Sequence, residues 1–256
     1  MTGSLAFFQK ELTHHLRSGR LTILGILFLL FGIMNPAVAK MTPWLLEIMA
    51  DTMAESGMTV TGVTVTAMDS WVQFFKNIPM ALIIFAVMES SIFTREYQTG
   101  TLVLSLTKGL PRHTVVAAKA AVLMLLWSAG YWLCWAITYG YNAYFWDNTI
   151  ARHLLFSAVC WWAFGLWTVG LTVLFSCLCF TGTGVLLGTG GVALGAYLLG
   201  LLPKLRRYMP TLLTDGNSLI YGTAEAGDYL PALMVASGML ALCLAAAIPL
   251  FNKKQL

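Results

Sequence analysis

Few residues in this chain have the chemistry for a site. Glu89 is an acid near the end of an apolar run, about a turn and a half from the next polar stretch. Acids inside membrane spans commonly mark ion or substrate paths. Two readings therefore apply to it: a residue of a translocation path, or a carboxylate at a helix end reaching the interface. His14 and His15 are adjacent, so on a helix they point to different sides. That arrangement describes a solvated interfacial pair rather than a metal site. The five cysteines, Cys134, Cys160, Cys177, Cys179 and Cys243, all lie inside apolar runs. There they read as small packing residues, and neither a disulfide framework nor a zinc site is expected. Gly184 with Gly188, and Gly191 with Gly195, have the small-x-x-x-small spacing that lets helices approach closely. No Lys-Ser/Thr follows them, so the run is not a phosphate loop.

Familiar catalytic patterns are absent. There is no His-Glu-x-x-His, no Gly-x-Ser-x-Gly and no Walker A sequence. We expect no catalytic residue, no metal and no ATP hydrolysis by this chain itself. A helical bundle without a catalytic set favours transport.

The elements that would carry these residues follow from composition. Of 256 residues, 58% are apolar and 10% charged. A soluble domain typically carries about 25% charged residues, so this chain has too few to cover a wet surface. The fold class expected is an all-α integral membrane protein. Six runs are long enough to span: about 21–39, 73–93, 115–140, 153–178, 184–202 and 230–251. The first apolar run is a span rather than a cleaved signal. Residues 1–20 place Leu5, Phe8, Leu12 and Leu16 three and four apart among charges, which predicts an amphipathic helix lying in the interface plane. Asn35-Pro36 should kink or end the first span. Residues 40–72 are acidic and extramembrane, with a Thr- and Val-rich stretch at 58–67 that fits a strand or irregular chain. Trp127, Tyr131, Trp132, Trp135 and Tyr139, continued by Tyr141, Tyr144, Phe145 and Trp146, have the density of an aromatic belt; a substrate-binding wall is the other reading. Residues 203–229 mix charges with leucines, as short interfacial or re-entrant helices do.

Between the second and third runs lies a polar island, 94–114. Lys119 follows in the first turn of the next span, where it can snorkel. Six spans put both termini on the island's side. That side holds nine Lys and Arg against three acids; the other holds six against eight. The excess of Lys and Arg predicts that both termini and the island are cytoplasmic.

The island pattern Glu96…Gly100-Thr101…Leu104…Pro111-Arg112…Lys119 resembles the first cytoplasmic loop of type-2 ABC transporter permeases. The run Lys10-Glu11…Leu16-Arg17-Ser18-Gly19-Arg20 before the first span is similar to the entry of that family. So is Leu202-Pro203-Lys204…Tyr208-Met209-Pro210 with Asp215-Gly216-Asn217-Ser218-Leu219, which looks like the region before the last span of bacterial members near the sodium- and peptide-exporter branch. The likeness covers essentially the whole chain as one permease domain, 1–256.

The resemblance implies six transmembrane helices, an N-terminal elbow helix and a cytoplasmic coupling helix. It implies a dimer with a second permease, identical or related, and a separate ABC ATPase subunit in two copies that holds ATP and Mg. Glu96, Gly100, Thr101, Leu104, Pro111 and Arg112 then belong to the coupling loop; the plainer reading is a connecting loop. The implied function is the membrane half of an ATP-driven exporter in the cell membrane, contacting lipid and no nucleic acid. An apolar interior suits a peptide or other amphiphile slightly better than a bare ion. The competing class is an ATP-independent integral membrane protein: an immunity-type protein, a membrane enzyme or a secondary transporter.

Overall fold

The computed structural model describes residues 2–48, 64–102, 107 and 109–254. Six of its helices are long and apolar enough to cross a membrane, and no strand occurs among the described residues. The chain opens with α1 (Thr2–Arg17) and turns at Gly19, whose φ is 74°, into α2 (Arg20–Ile48). Residues 49–63 hold most of the Thr- and Val-rich stretch and lie outside the described residues. Then come α3 (Ala67–Glu89), the short α4 (Thr94–Thr99), α5 (Arg112–Phe145), α6 (Leu154–Leu178) and α7 (Gly182–Gly200). Residues 203–225 form two short helices, α8 (Pro203–Arg206) and α9 (Gly216–Ile220), around a 3-10 segment, Pro210–Thr214. The last span is α10 (Ala226–Lys253).

The bundle is organised by two groups of contacts. α2 packs along both α3 and α5, while α6 packs along α10 and carries α7 on its flank. The ends sort accordingly. α1, α4, the α6–α7 link and residue 254 meet at one end, which we term basal. The short helices of 203–225 meet the α5–α6 link at the other, where Arg152 N–H donates to Ile220 O at 3.0 Å.

The ending expected at Pro36 does not occur: α2 runs on through Pro36 and Pro43 to Ile48. A proline removes the donor for the carbonyl four residues back, here Gly32. The Thr138 hydroxyl of α5 donates to that carbonyl at 3.1 Å. Asn35 Nδ2 donates to Thr138 Oγ1 at 3.1 Å, and Asn77 Nδ2 of α3 to Asn35 Oδ1 at 2.8 Å. The freed backbone group is thus satisfied by a neighbouring helix, which is how prolines persist in spans.

The aromatic belt is also corrected in part. Trp127 and Tyr131 are fully buried and join α5 to α6. Tyr131 Oη donates to Ala158 O at 2.8 Å and Trp127 Nε1 to Trp162 O at 3.1 Å. Tyr139, Tyr141, Tyr144 and Phe145 remain exposed towards the end of α5. The α7 glycines divide likewise. At Gly188 a Cβ would fall 2.3 Å from the Phe175 ring, so α6 and α7 touch closely there. A Cβ at Gly184 would fall 3.2 Å from Cys179, while Gly191 and Gly195 have nothing within 4 Å.

Thr138→Val keeps the shape of the buried side chain but orphans the Gly32 carbonyl and one Asn35 donor. It should lower stability by about 1–2 kcal/mol, within the range for interhelical hydrogen bonds in membranes. Thermal unfolding in detergent, followed by tryptophan fluorescence, measures it; an unchanged melting temperature would contradict the role given to Thr138.

Candidate functional site

At the basal end the elbow helix presents a face the hydrophobic pattern does not reveal. Leu5 and Leu16, of the apolar stripe, are 62% and 54% exposed. The buried row is Phe7, Glu11 and His15, spaced four apart and therefore on one side of α1. Phe8 and Leu12 are half-buried between these extremes, so the helix is rotated to bring Glu11 and His15 against the bundle.

Glu11 meets Lys119 of α5, Nζ to Oε2, at 2.8 Å, and Lys10 Nζ reaches Glu11 Oε1 at 3.0 Å. Lys119 Nζ also lies 3.1 Å from Glu96 Oε2 of α4 and donates to Ile92 O at 3.2 Å. Lys10 Nζ donates to Glu96 Oε1 at 3.4 Å. Lys119 is 1% exposed, so it does not snorkel. It is a buried cation shared by acids from two helices.

A second set adjoins the first. Glu89, at the end of α3, is 0% exposed, and its Oε2 lies 3.0 Å from His15 Nε2 and 3.6 Å from Arg20 Nη1. Arg20 Nη2 donates to Ser91 Oγ at 3.0 Å. His15, at 1% exposure, is not solvated as the adjacent pair suggested; only His14 is exposed. His15 Nδ1 lies 3.0 Å from the Glu11 carbonyl. Both ring nitrogens therefore face acceptors, and only the imidazolium can donate to both. Glu89 is thus held against the elbow. Its Oε1 is buried without a hydrogen-bond partner among the described residues.

Two titrations frame this cluster. Burial works against the His15 imidazolium, but the hydrogen bond and charge of Glu89 more than offset it and raise the His15 pKa above 6.5. Burial likewise opposes the Glu11 carboxylate, but the Lys119 charge and the bonds from Lys119 and Lys10 hold its pKa below 4.5.

The island residues fall into several environments. Glu96 belongs to the ion cluster. Gly100 ends α4 at φ 68°, a left-handed position glycine adopts without strain, and it is exposed with Thr101. Leu104 lies outside the described residues. Pro111 caps the start of α5. Arg112 reaches the chain's other end: its Nη1 donates to Phe251, Asn252 and Lys254 carbonyls at 3.0, 3.2 and 2.8 Å. These are carbonyls left open at the end of α10. Lys254 Nζ in turn donates to Cys177 and Cys179 carbonyls at the end of α6, at 3.1 and 2.7 Å. Tyr97 Oη donates to Ser176 O at 3.1 Å. α4 is thereby fixed to the ends of α5, α6 and α10. Sequence reasoning missed Glu11, His15, Arg20, Lys119 and Lys254; the Glu11–His15 spacing of four was the available signal.

Away from the basal end is a half-open apolar cavity of about 660 Å3 between α3, α6 and α7. Phe75, Leu82, Trp161, Phe164, Ala193 and Tyr197 line it with several threonines, and no charged residue does. Among the described residues there is no group of His, Cys, Asp and Glu that could hold a metal.

This is a multi-pass helical membrane subunit whose helices α1 and α4 are braced against the ends of its spans. Residues 5–199 match the family model described as ABC-2 family transporter protein, and the chain belongs to that family of ABC transporter permeases. Comparison with curated proteins and with solved structures found no match.

Lys119→Met should be severe, because it leaves Glu11 and Glu96 short of a buried cation. Removing one partner of a buried pair costs about 3–5 kcal/mol. Thermal unfolding of the detergent-purified variant should show it; a loss below about 1 kcal/mol, typical of a surface pair, would refute the burial argument.

The pKa directions fix a pH window. His15 stabilises fully below its ordinary 6.5 and loses its contribution as pH rises through the higher folded value. Glu11 stabilises above its ordinary 4.5 and loses its contribution as pH falls through the lower folded value. Melting temperature should therefore be highest between these values. His15→Gln should flatten the alkaline limb, and an alkaline limb identical to wild type would count against the His15 assignment.

Proposed function

We propose that this chain is the transmembrane permease subunit of an ATP-driven ABC exporter, coupled to a separate ATPase subunit. The single observation that carries the proposal is the ion cluster binding α1 and α4 to the basal ends of α2, α3 and α5. A push on α4 is delivered through Glu96 to Lys119, and from Lys119 to α5 and α1, without passing through a flexible linker. Tyr97, Arg112 and Lys254 give the same push a path to α6 and α10. α4 is the coupling helix in this reading, with Gly100 and Thr101 at the exposed tip that meets the ATPase.

The partner holds ATP and Mg, is present in two copies, and closes on ATP. The permease pairs with a second permease, identical or related. Both termini and the island face the cytoplasm of the cell membrane, a placement supported by the Lys and Arg excess on that side. The uncharged cavity between α3, α6 and α7 suits a peptide or other amphiphile with a large apolar part. The burial of Glu89 against His15 and Arg20 favours a mechanical role for that acid over a place on the translocation path.

The test is co-purification with a cognate ABC ATPase in nanodiscs, followed by ATP hydrolysis with and without this chain. A stable complex with chain-dependent hydrolysis is the expected result. Proline cannot adopt the φ of 68° at Gly100. Gly100→Pro should therefore insert and fold but reduce chain-dependent hydrolysis by roughly tenfold or more, a barrier increase of about 1.4 kcal/mol. Full hydrolysis with Gly100→Pro would remove α4 from the coupling path, and an ATPase indifferent to the wild-type chain would overturn the proposal.

A further inference from the structure

The ion cluster also bounds a cavity of about 310 Å3, near the lower limit for a ligand pocket. Its wall is built from α1, the start of α2, the turn after α3, and α4. The charges in that wall do not cancel. Glu11 and Glu96 share Lys119 and Lys10, and Glu89 takes the His15 imidazolium. Two guanidinium groups are left over. Arg20 lies 3.6 Å from an already matched Glu89 and donates to Ser91. Arg95 is exposed and has no ion-pair or side-chain hydrogen-bond partner among the described residues. Both line the cavity, with the hydroxyls of Ser91, Thr99 and Thr101 beside them.

We infer that this cavity binds a phosphate group, through Arg20 and Arg95, and that the group is the headgroup phosphate of a membrane phospholipid. Guanidinium forks match phosphate oxygens in geometry and charge, and neighbouring hydroxyls complete the shell. The helix that lines the cavity points to the lipid over a free anion. α1 contributes Lys10, Glu11, His14 and His15 to the wall and also exposes Leu5 and Leu16, and an interfacial helix buries such residues about 5–10 Å into the boundary between headgroups and acyl chains. Basic pockets between spans at that level take up headgroups of anionic lipids. The inference needs only that the chain spans a membrane, and it does not depend on an ATPase.

The experiment uses the full chain in detergent, titrated separately with dioleoylphosphatidylglycerol, with dioleoylglycerol, which lacks the phosphate, and with inorganic phosphate. Thermal shift and native mass spectrometry read binding. Phosphatidylglycerol should raise the melting temperature and stay bound, and dioleoylglycerol should do neither. Arg95→Gln should weaken phosphatidylglycerol binding roughly tenfold, as loss of a charge-assisted hydrogen bond does. Arg95 is unpaired, so this variant should fold normally, and Arg17→Gln, an exposed cation outside the cavity, should bind as wild type. Equal binding of dioleoylglycerol, or equal loss in Arg95→Gln and Arg17→Gln, overturns the site. Stabilisation by inorganic phosphate with no lipid retained overturns the lipid as its source.

Discussion

The basal architecture depends on the buried ammonium of Lys119. In a low-dielectric setting a charge is tolerable only when opposite charge and hydrogen bonds surround it. Glu11 on one side, Glu96 on another and the Ile92 carbonyl on a third meet that need. Each comes from a different stretch of chain. The requirement for charge neutrality thus fixes the elbow, the turn after α3 and the island relative to one another. His15 and Glu89 repeat the device one helical turn farther along α1.

The two halves of the bundle use different adhesives. At the basal end the elements are joined by full charges and by cations on helix C-terminal carbonyls. In the membrane interior they are joined by uncharged hydrogen bonds, Thr138 to Gly32 and Tyr131 to Ala158, and by aromatic packing around Trp127. The apolar cavity lies where this interior packing is interrupted, between α3, α6 and α7.

The number of spans was legible from apolar run length alone, because no other fold accommodates six such runs with so few charges. The family was legible from the order of loose motifs around the island. Orientation of faces was not. The Leu5–Leu16 pattern predicts an amphipathic helix but does not say which side faces the bundle: Leu5 and Leu16 are exposed, and the buried row is Phe7, Glu11 and His15. A lysine near a span end ordinarily reaches water, so position alone marks Lys119 as a snorkelling residue. Its acids come from positions 11 and 96, and no local spacing connects them. The sequence around Pro36 does not show that the helix continues, because the hydroxyl that compensates for the proline lies about a hundred residues away.

The shared bond at Pro36 also has a mechanical meaning. α2 has given up one of its own backbone hydrogen bonds, and its Gly32 carbonyl is completed by α5. Sliding α5 along α2 would strand that carbonyl in an apolar interior, a penalty a self-contained pair of helices would not face. The two helices therefore resist shear more strongly than they resist rocking apart from their neighbours. Any rearrangement that spares this bond and those of Tyr131 and Trp127 to α6 carries α2, α5 and α6 together.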